Sequence, residues 1–264
     1  MRLSGAVSSW GVVDEQENQD LTDSHQPLVA QMAKAIVADK PLPAITAALT
    51  LEQAYRVQIE MVRKVSPGGI AGLKAGVTTA AARKHFGLTH GLMGELYAFG
   101  SLDPDDPITV NPESVIECEI GILIDGAGNP LSAGPAIEFA CANFARPQDL
   151  TAANLVAGNL GAYRFIRGSQ QPWRNTFNDV RVQLSRDGEL INEASMQEAL
   201  GGPERALPWM LEEAALRGLP IEQGMLLMTG TCGQPAPALP GNYVADYGDF
   251  GQVSFTIVEA PAAK

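Results

Sequence analysis

The chain carries only three cysteines, Cys118, Cys141 and Cys232. They are far apart, odd in number and form no CxxC pair, which argues against a disulfide framework and a structural zinc site and fits a reducing cytoplasm. Histidine is equally scarce: His25, His85 and His90. The last two are five apart and do not stack on one helix face, which excludes the usual histidine-rich metal centre. No GxGxxG follows a strand pattern, "GLKAGVT" lacks the GK[ST] ending of a phosphate loop, and GxSxG and HExxH are absent. Basic clusters are missing against a net charge of −12, which argues against nucleic acid and anionic membranes as partners. No run approaches the ~18 apolar residues of a membrane span, and the N-terminal residues lack the apolar core of a signal peptide. Charged residues make up only 18% of the 264, a fraction expected of a chain with part of its surface covered by other subunits, here a homo-oligomer.

What is present reads as helices followed by many strands. Residues 1 to about 23 are polar and acidic and read as a leader with little structure of its own. A helical pattern runs from Gln26 to Asp39, with Leu28, Met32, Ala35 and Ile36 on one face. The prolines of "KPLPAI" end it. Thr50 reads as the N-cap of a second helix, with Leu51, Ala54, Tyr55, Ile59 and Val62 as its apolar stripe. After the glycine cluster at 66–78 the chain turns to short strands. "VRVQLSRDGELINEAS" reads as a hairpin about Asp187-Gly188, and "ALPWMLEEAALRG" as a helix closed by Gly218. This order is α+β, or a mostly β roll with a helical arm, and not a doubly wound parallel sheet. The expected division is a leader and helical region, 1–65, and a β roll, 66–264.

One strand pattern is odd. In "VIECEIGILID" (115–125) the alternation of a strand puts Ile116, Cys118, Ile120, Ile122 and Ile124 on one apolar face. The other face carries Glu117 and Glu119, roughly 7 Å apart along the backbone. Two readings are open: a solvated outer face, or a site. The flanking Val115, Gly121 and Leu123 are not polar, and Gly121 leaves room for a close approach to the backbone. Downstream, Glu138 is the lone ionisable residue of "PAIEFACANF". A carboxylate in such a run is costly to bury without a positive partner. Three carboxylates without His or Cys suit a hard divalent cation, Mg²⁺ or Mn²⁺.

"GLKAGVT" (72–78), "IECEIGILID" (116–125), "AIEFA" (136–140), "AGNLGAYRFIRG" (157–168) and "MTGT" (228–231) occur in an order that resembles the 2-oxopent-4-enoate hydratase and 4-oxalocrotonate decarboxylase group of the fumarylacetoacetate hydrolase superfamily. The resemblance covers residues 25 to 258. It implies a mixed β-sandwich roll with an N-terminal helical region, and a divalent metal held by Glu117, Glu119 and Glu138. A 2-oxo acid would meet that metal through its carboxylate and 2-oxygen. The implied reaction is hydration of a 2-hydroxydienoate or 2-oxo-alkenoate in the breakdown of an aromatic or other ring compound. Decarboxylation, tautomerisation and C–C hydrolysis are alternatives, as is a non-catalytic binding or assembly subunit; association with a neighbouring enzyme of the pathway is also implied. Lys74 matches the family lysine, for carboxylate binding or proton transfer, with a lowered pKa expected from partial burial. Thr229 and Gly230 match a substrate-binding TG pair, and Asn159 the family Asp-Asn position, here Gly158-Asn159. The chain departs where hydratases carry an acid after "HFGL": it has "THGLMGEL". His90 or Glu95 is the expected substitute for moving protons.

Overall fold

The computed structural model describes residues 15–174 and 177–259. Two helices open it: α1 (Glu15–Val37) and α2 (Leu51–Val65). Residues 1–14 of the expected leader lie outside the described residues. The rest of it is a correction, because α1 begins at Glu15, eleven residues before the predicted start. That stretch has no periodic apolar stripe, and a periodicity argument finds only helices that have one. The cap of α2 is as expected: Thr50 Oγ1 accepts from Gln53 N at 3.2 Å while Gln53 Oε1 accepts from Thr50 N at 2.9 Å, closing a capping box. Its buried stripe is Ala54, Tyr55, Val57, Met61, Val62 and Val65, and Gln58 inside it donates to Met93 O and Val156 O, which ties the helix to the rest of the molecule.

The chain continues through β1 (Ile70–Gly76), α3 (Ala80–Phe86), β2 (Leu92–Tyr97), β3 (Ser101–Leu102), β4 (Val115–Ile124) and β5 (Pro130–Ala140). Then come α4 (Ala152–Ala157), β6 (Arg164–Arg167), β7 (Gln171–Pro172), β8 (Arg181–Arg186) and β9 (Glu189–Ser195). Last are α5 (Pro203–Arg217), β10 (Leu226–Met228), β11 (Ala236–Pro237), β12 (Gly241–Asp246) and β13 (Gln252–Ile257). The short helices α3 and α4 escaped the sequence reading, although Thr79 and Thr151 cap them by accepting from Ala82 N and Asn154 N. At six or seven residues neither is long enough to show a period.

Among the described residues the strands form two sheets. The larger runs β2-β1-β10-β4-β5-β6-β3, with β11 alongside β4 and β7 alongside β5. It is mixed: β1 is parallel to β10 and β3 to β6, and the remaining pairs are antiparallel. The smaller sheet is antiparallel, β13-β12-β8-β9. Its hairpin turns at Asp187 and Gly188, both with positive φ, the backbone that an Asp-Gly turn supplies. The result is the expected α+β roll, with helices at the N-terminus.

The two faces of β4 explain its composition. Ile116, Cys118, Ile120, Ile122 and Ile124 are all buried in the main core, which reaches the smaller sheet and the helices. Phe139 of β5 meets Phe255 of β13 edge to face with ring centroids 5.6 Å apart, and Tyr247 Oη donates to Ala136 O at 3.0 Å. The other face lines the inside of the curled large sheet. There Leu96, Ala136, Phe165, Leu226 and Met228 form a second, smaller apolar cluster. A strand with apolar neighbours on both sides reads as a continuous apolar run. Gly121 serves that packing: an added Cβ would lie 2.8 Å from Leu226 Cδ1 and 3.2 Å from Ala136 Cβ. The room expected beside it is filled by protein side chains.

Candidate metal centre

Register converts the spacing of the three carboxylates into a cluster. Glu117 stands directly opposite Glu138 on β5, and Glu119 opposite Ala136. Directly opposed residues of an antiparallel pair lie ~5 Å apart, so Glu138 reaches the face that Glu117 and Glu119 share. One carboxylate oxygen from each lies within 4.8 Å of the others. Glu119 and Glu138 are fully buried and Glu117 is half-buried.

Lys74 completes the centre from β1, two strands away. Its Nζ forms an ion pair with Glu138 and donates to Leu160 O at 3.1 Å. Only 2% of its surface is exposed. The Leu160 carbonyl is aimed there by an unusual backbone: Asn159, Leu160 and Gly161 all have positive φ. Such a conformation costs of order 1–3 kcal/mol at a non-glycine residue, and clusters at functional sites. Gly230 holds the other end by donating its N–H to Glu119 Oε2 at 2.7 Å. Its φ is +103°, and a Cβ there would sit 2.4 Å from Thr78 Cγ2. Only glycine fits.

The charges do not balance within the protein. Three carboxylates face one ammonium, and Glu119 Oε1 and Glu138 Oε2 are buried with no hydrogen-bond partner. Burial is the largest cause that holds Glu119 well above the usual carboxylate range, followed by repulsion from Glu138 and Glu117. Glu138 is pushed to about 7, by burial first, with Lys74 opposing and Glu117 adding. The Lys74 pKa is a correction. Burial alone pulls it down, but Glu138, Glu117 and Glu119 together raise it above the ordinary lysine value. These carboxylates favour the ammonium form of Lys74. The two orphaned acceptors and the excess of two negative charges fit a divalent cation held by oxygen ligands.

Above the centre opens a cavity of about 510 Å³, with Lys74 and Glu117 at its base. Val115, Ala140, Leu155 and Leu160 give it apolar walls. Thr78, Thr231 and His85 add polar groups that the sequence reading did not assign. Thr78 and Thr231 lie inside the recognised segments "GLKAGVT" and "MTGT", so a signal existed. His85 gave none, because helix α3 went unseen.

Two expected proton-transfer residues lie elsewhere. Along β2, Gly94 is paired with Lys74, while Glu95 is paired with Leu73 and so points to the opposite face of the sheet. Glu95 lines a separate cavity beside α2. His90 is exposed in the loop after α3, with Nδ1 2.8 Å from Gly91 O, and does not line the site cavity. Asn159 is buried beneath the site, where its amide donates to Glu95 O and accepts from Glu95 N, each at 2.8 Å. The Thr229 hydroxyl donates to Ile120 O at 3.1 Å. The Asn159 amide and the Thr229 hydroxyl thus each bond backbone. Burial raises the Cys118 thiol to about 12, which leaves no thiolate there.

No family model matches the chain. In sequence it is similar to 2-keto-4-pentenoate hydratase from Burkholderia vietnamiensis, 24% identical over 227 residues that span 80% of this chain and 86% of that protein. It is likewise 24% identical to a 4-oxalocrotonate decarboxylase from a Pseudomonas species, over 87% of this chain and 96% of the other. The solved structure of 4-oxalocrotonate decarboxylase from Pseudomonas putida G7, complexed with magnesium and adipate, superposes with a TM-score of 0.80 at 22% identity, covering 91% of this chain and 98% of that one. Among the described residues no helix is long and apolar enough to cross a membrane. The chain resembles the 2-keto-4-pentenoate hydratase and 4-oxalocrotonate decarboxylase group in sequence, and its fold is fumarylacetoacetate hydrolase-like.

Proposed function

We propose that the chain is a divalent-metal-dependent lyase of a small 2-oxo acid, and that it adds water to a 2-hydroxydienoate or 2-oxo-alkenoate arising from an aromatic or other ring compound in the cytoplasm. One observation carries this: three carboxylates converge around two orphaned buried acceptors, with a lysine ammonium against one of them, beside a cavity that Glu117 and Lys74 line. Glu117, Glu119 and Glu138 would hold Mg²⁺ or Mn²⁺. When bound, that cation supplies a Lewis acid to the carboxylate and 2-oxygen of a 2-oxo acid.

The chain's own groups do the rest. The Lys74 ammonium, fixed by Glu138 and Leu160 O, adds a second positive charge where negative charge develops on the substrate. Gly230 N–H fixes the orientation of Glu119. Thr78 and Thr231, which line the cavity, would offer hydroxyls to a carboxylate, a task that the resemblance gives to Thr229 and Gly230. Val115, Leu155 and Leu160 take the hydrocarbon tail and keep bulk water from it. Asn159 positions the strand bearing Gly94 opposite Lys74. On this reading residues 66–264 are the catalytic roll, residues 1–65 its helical attachment, and the working form is a homo-oligomer.

Decarboxylation is the second reading. The absence of His90 and Glu95 from the cavity favours it, since hydration needs a proton delivered at the far carbon. Incubating the full chain with a panel of 2-oxo-alkenoates, with Mg²⁺ or Mn²⁺ and after chelation, separates the readings. A hydrated product that disappears on chelation supports hydration. CO₂ release supports decarboxylation. If metal binds and no acid turns over, the enzyme reading fails and a binding subunit replaces it.

A further inference from the structure

Glu95, displaced from the metal centre, has a cavity of its own. About 460 Å³ opens between the end of α2, the start of β1 and the segment after α5. Val62, Leu219 and Met225 are among its apolar walls. Arg63, Pro220 and Glu222 are exposed at its mouth. Glu95 is inside and only 5% exposed, and its Oε1 is buried with no hydrogen-bond partner. The salt bridges among the described residues do not include it, although Arg63 is near enough to bias its charge.

A buried carboxylate without a donor costs several times more than one that is paired. Here the missing donor has a place to sit. We propose that this cavity is a second ligand site, distinct from the metal centre, which takes a small organic ammonium: the charged head on the Glu95 carboxylate and a short hydrocarbon stem along Val62, Leu219 and Met225. An inorganic divalent ion is the poorer fit. Glu95 has no second buried carboxylate beside it, and the triad of β4 and β5 is the one cluster of metal-ligating residues among the described residues. Apolar walls also give no replacement for a hydration shell. An anion would meet the acid itself. An ammonium makes a charge-assisted hydrogen bond and keeps Glu95 ionised.

The site is not isolated from the metal centre. Asn159 grips the backbone of Glu95 on both its N–H and its C=O, and the next residue, Leu160, accepts from Lys74 Nζ. Occupation on one face of β2 therefore bears on a segment that touches the catalytic lysine on the other.

The probe is butylammonium, titrated into the full chain with Mg²⁺ saturating and followed by ligand-observed NMR and thermal shift. Butanol and butyrate are the controls. Saturable binding is expected, at least tenfold tighter than either control. Glu95→Gln should weaken it at least tenfold. Pro220→Trp, an exposed change at the mouth that leaves Glu95 in place, should do the same, which guards against a folding defect in the first variant. Glu119→Gln should still bind the amine saturably and lose far less affinity than Glu95→Gln, which separates this cavity from the metal centre. The proposal is overturned if the wild type shows no saturable binding, or if Glu95→Gln and Pro220→Trp bind as the wild type does. It also falls if the amine binds only on dilution of a self-associated form that Glu95→Gln dissolves, since the occupant is then a lysine of a second copy.

Discussion

Replacing Glu95 by glutamine should change how stability depends on pH, and the size of the change follows from its burial. The carboxyl is pushed from 4.5 to about 7, chiefly by desolvation, with Arg63 opposing. The folded protein therefore binds a proton at Glu95 that the unfolded chain has released over this range. A raised acid contributes its full stability below the unfolded value of 4.5 and loses it as pH rises through about 7. Each tenfold difference in proton affinity is ~1.4 kcal/mol, so the loss across the window is ~3 kcal/mol. That is a large part of the ~5–15 kcal/mol that holds a typical domain together. Glutamine has the same shape and no charge to desolvate. The measurement is urea unfolding of wild type and Glu95→Gln at intervals between pH 5 and 8. The other titrating groups, including the raised carboxylates of the metal centre, are common to both proteins and cancel in the difference. The wild type should fall relative to the variant by ~2–3 kcal/mol as pH rises, and the curves should run parallel above about pH 7. Parallel profiles throughout would refute the reasoning, because they would mean that Glu95 is solvated or paired in the folded protein.

The metal centre gives further expectations. Glu119→Gln should lower Mg²⁺ and Mn²⁺ affinity at least tenfold by calorimetry, yet raise the melting temperature of the metal-free protein, because it removes the cost of burying a carboxylate and then its repulsion with Glu138 and Glu117. Unchanged metal affinity would remove Glu119 from the ligand set. Lys74→Met takes away the cation that meets Glu138, so the metal-free protein should lose about 3–5 kcal/mol in urea unfolding and lose turnover with metal present. Gly230→Ala forces a Cβ into Thr78 at a positive φ, and should cost ~1–3 kcal/mol while loosening Glu119 and weakening metal binding. Activity removed by chelator should return with Mg²⁺ or Mn²⁺ and not with Na⁺ alone.

Local rules in the sequence carried much of the fold. The isoleucine face of β4 was determined by the two-residue period of a strand, α2 by Thr50 and its stripe, and the β8–β9 turn by Asp187-Gly188. The same period placed Glu117 and Glu119 on one side. Neither α3 nor α4 was legible, because six or seven residues are too few to show a helical period. What brings Glu138 to the pair is register between β4 and β5, and what brings Lys74 is the order β1-β10-β4-β5; both are long-range pairings that no local pattern encodes. The positions of His90 and Glu95 were decided in the same way. In the sequence they stand at the point where an acid is expected, but the loop after α3 turns His90 to solvent, and strand alternation sends Glu95 through the sheet to the other side. A sequence states which residues can do chemistry. Which of them share a face and a cavity depends on how strands are ordered and aligned, and here that choice gathered three acids and a lysine into one centre and set a fourth acid apart in another.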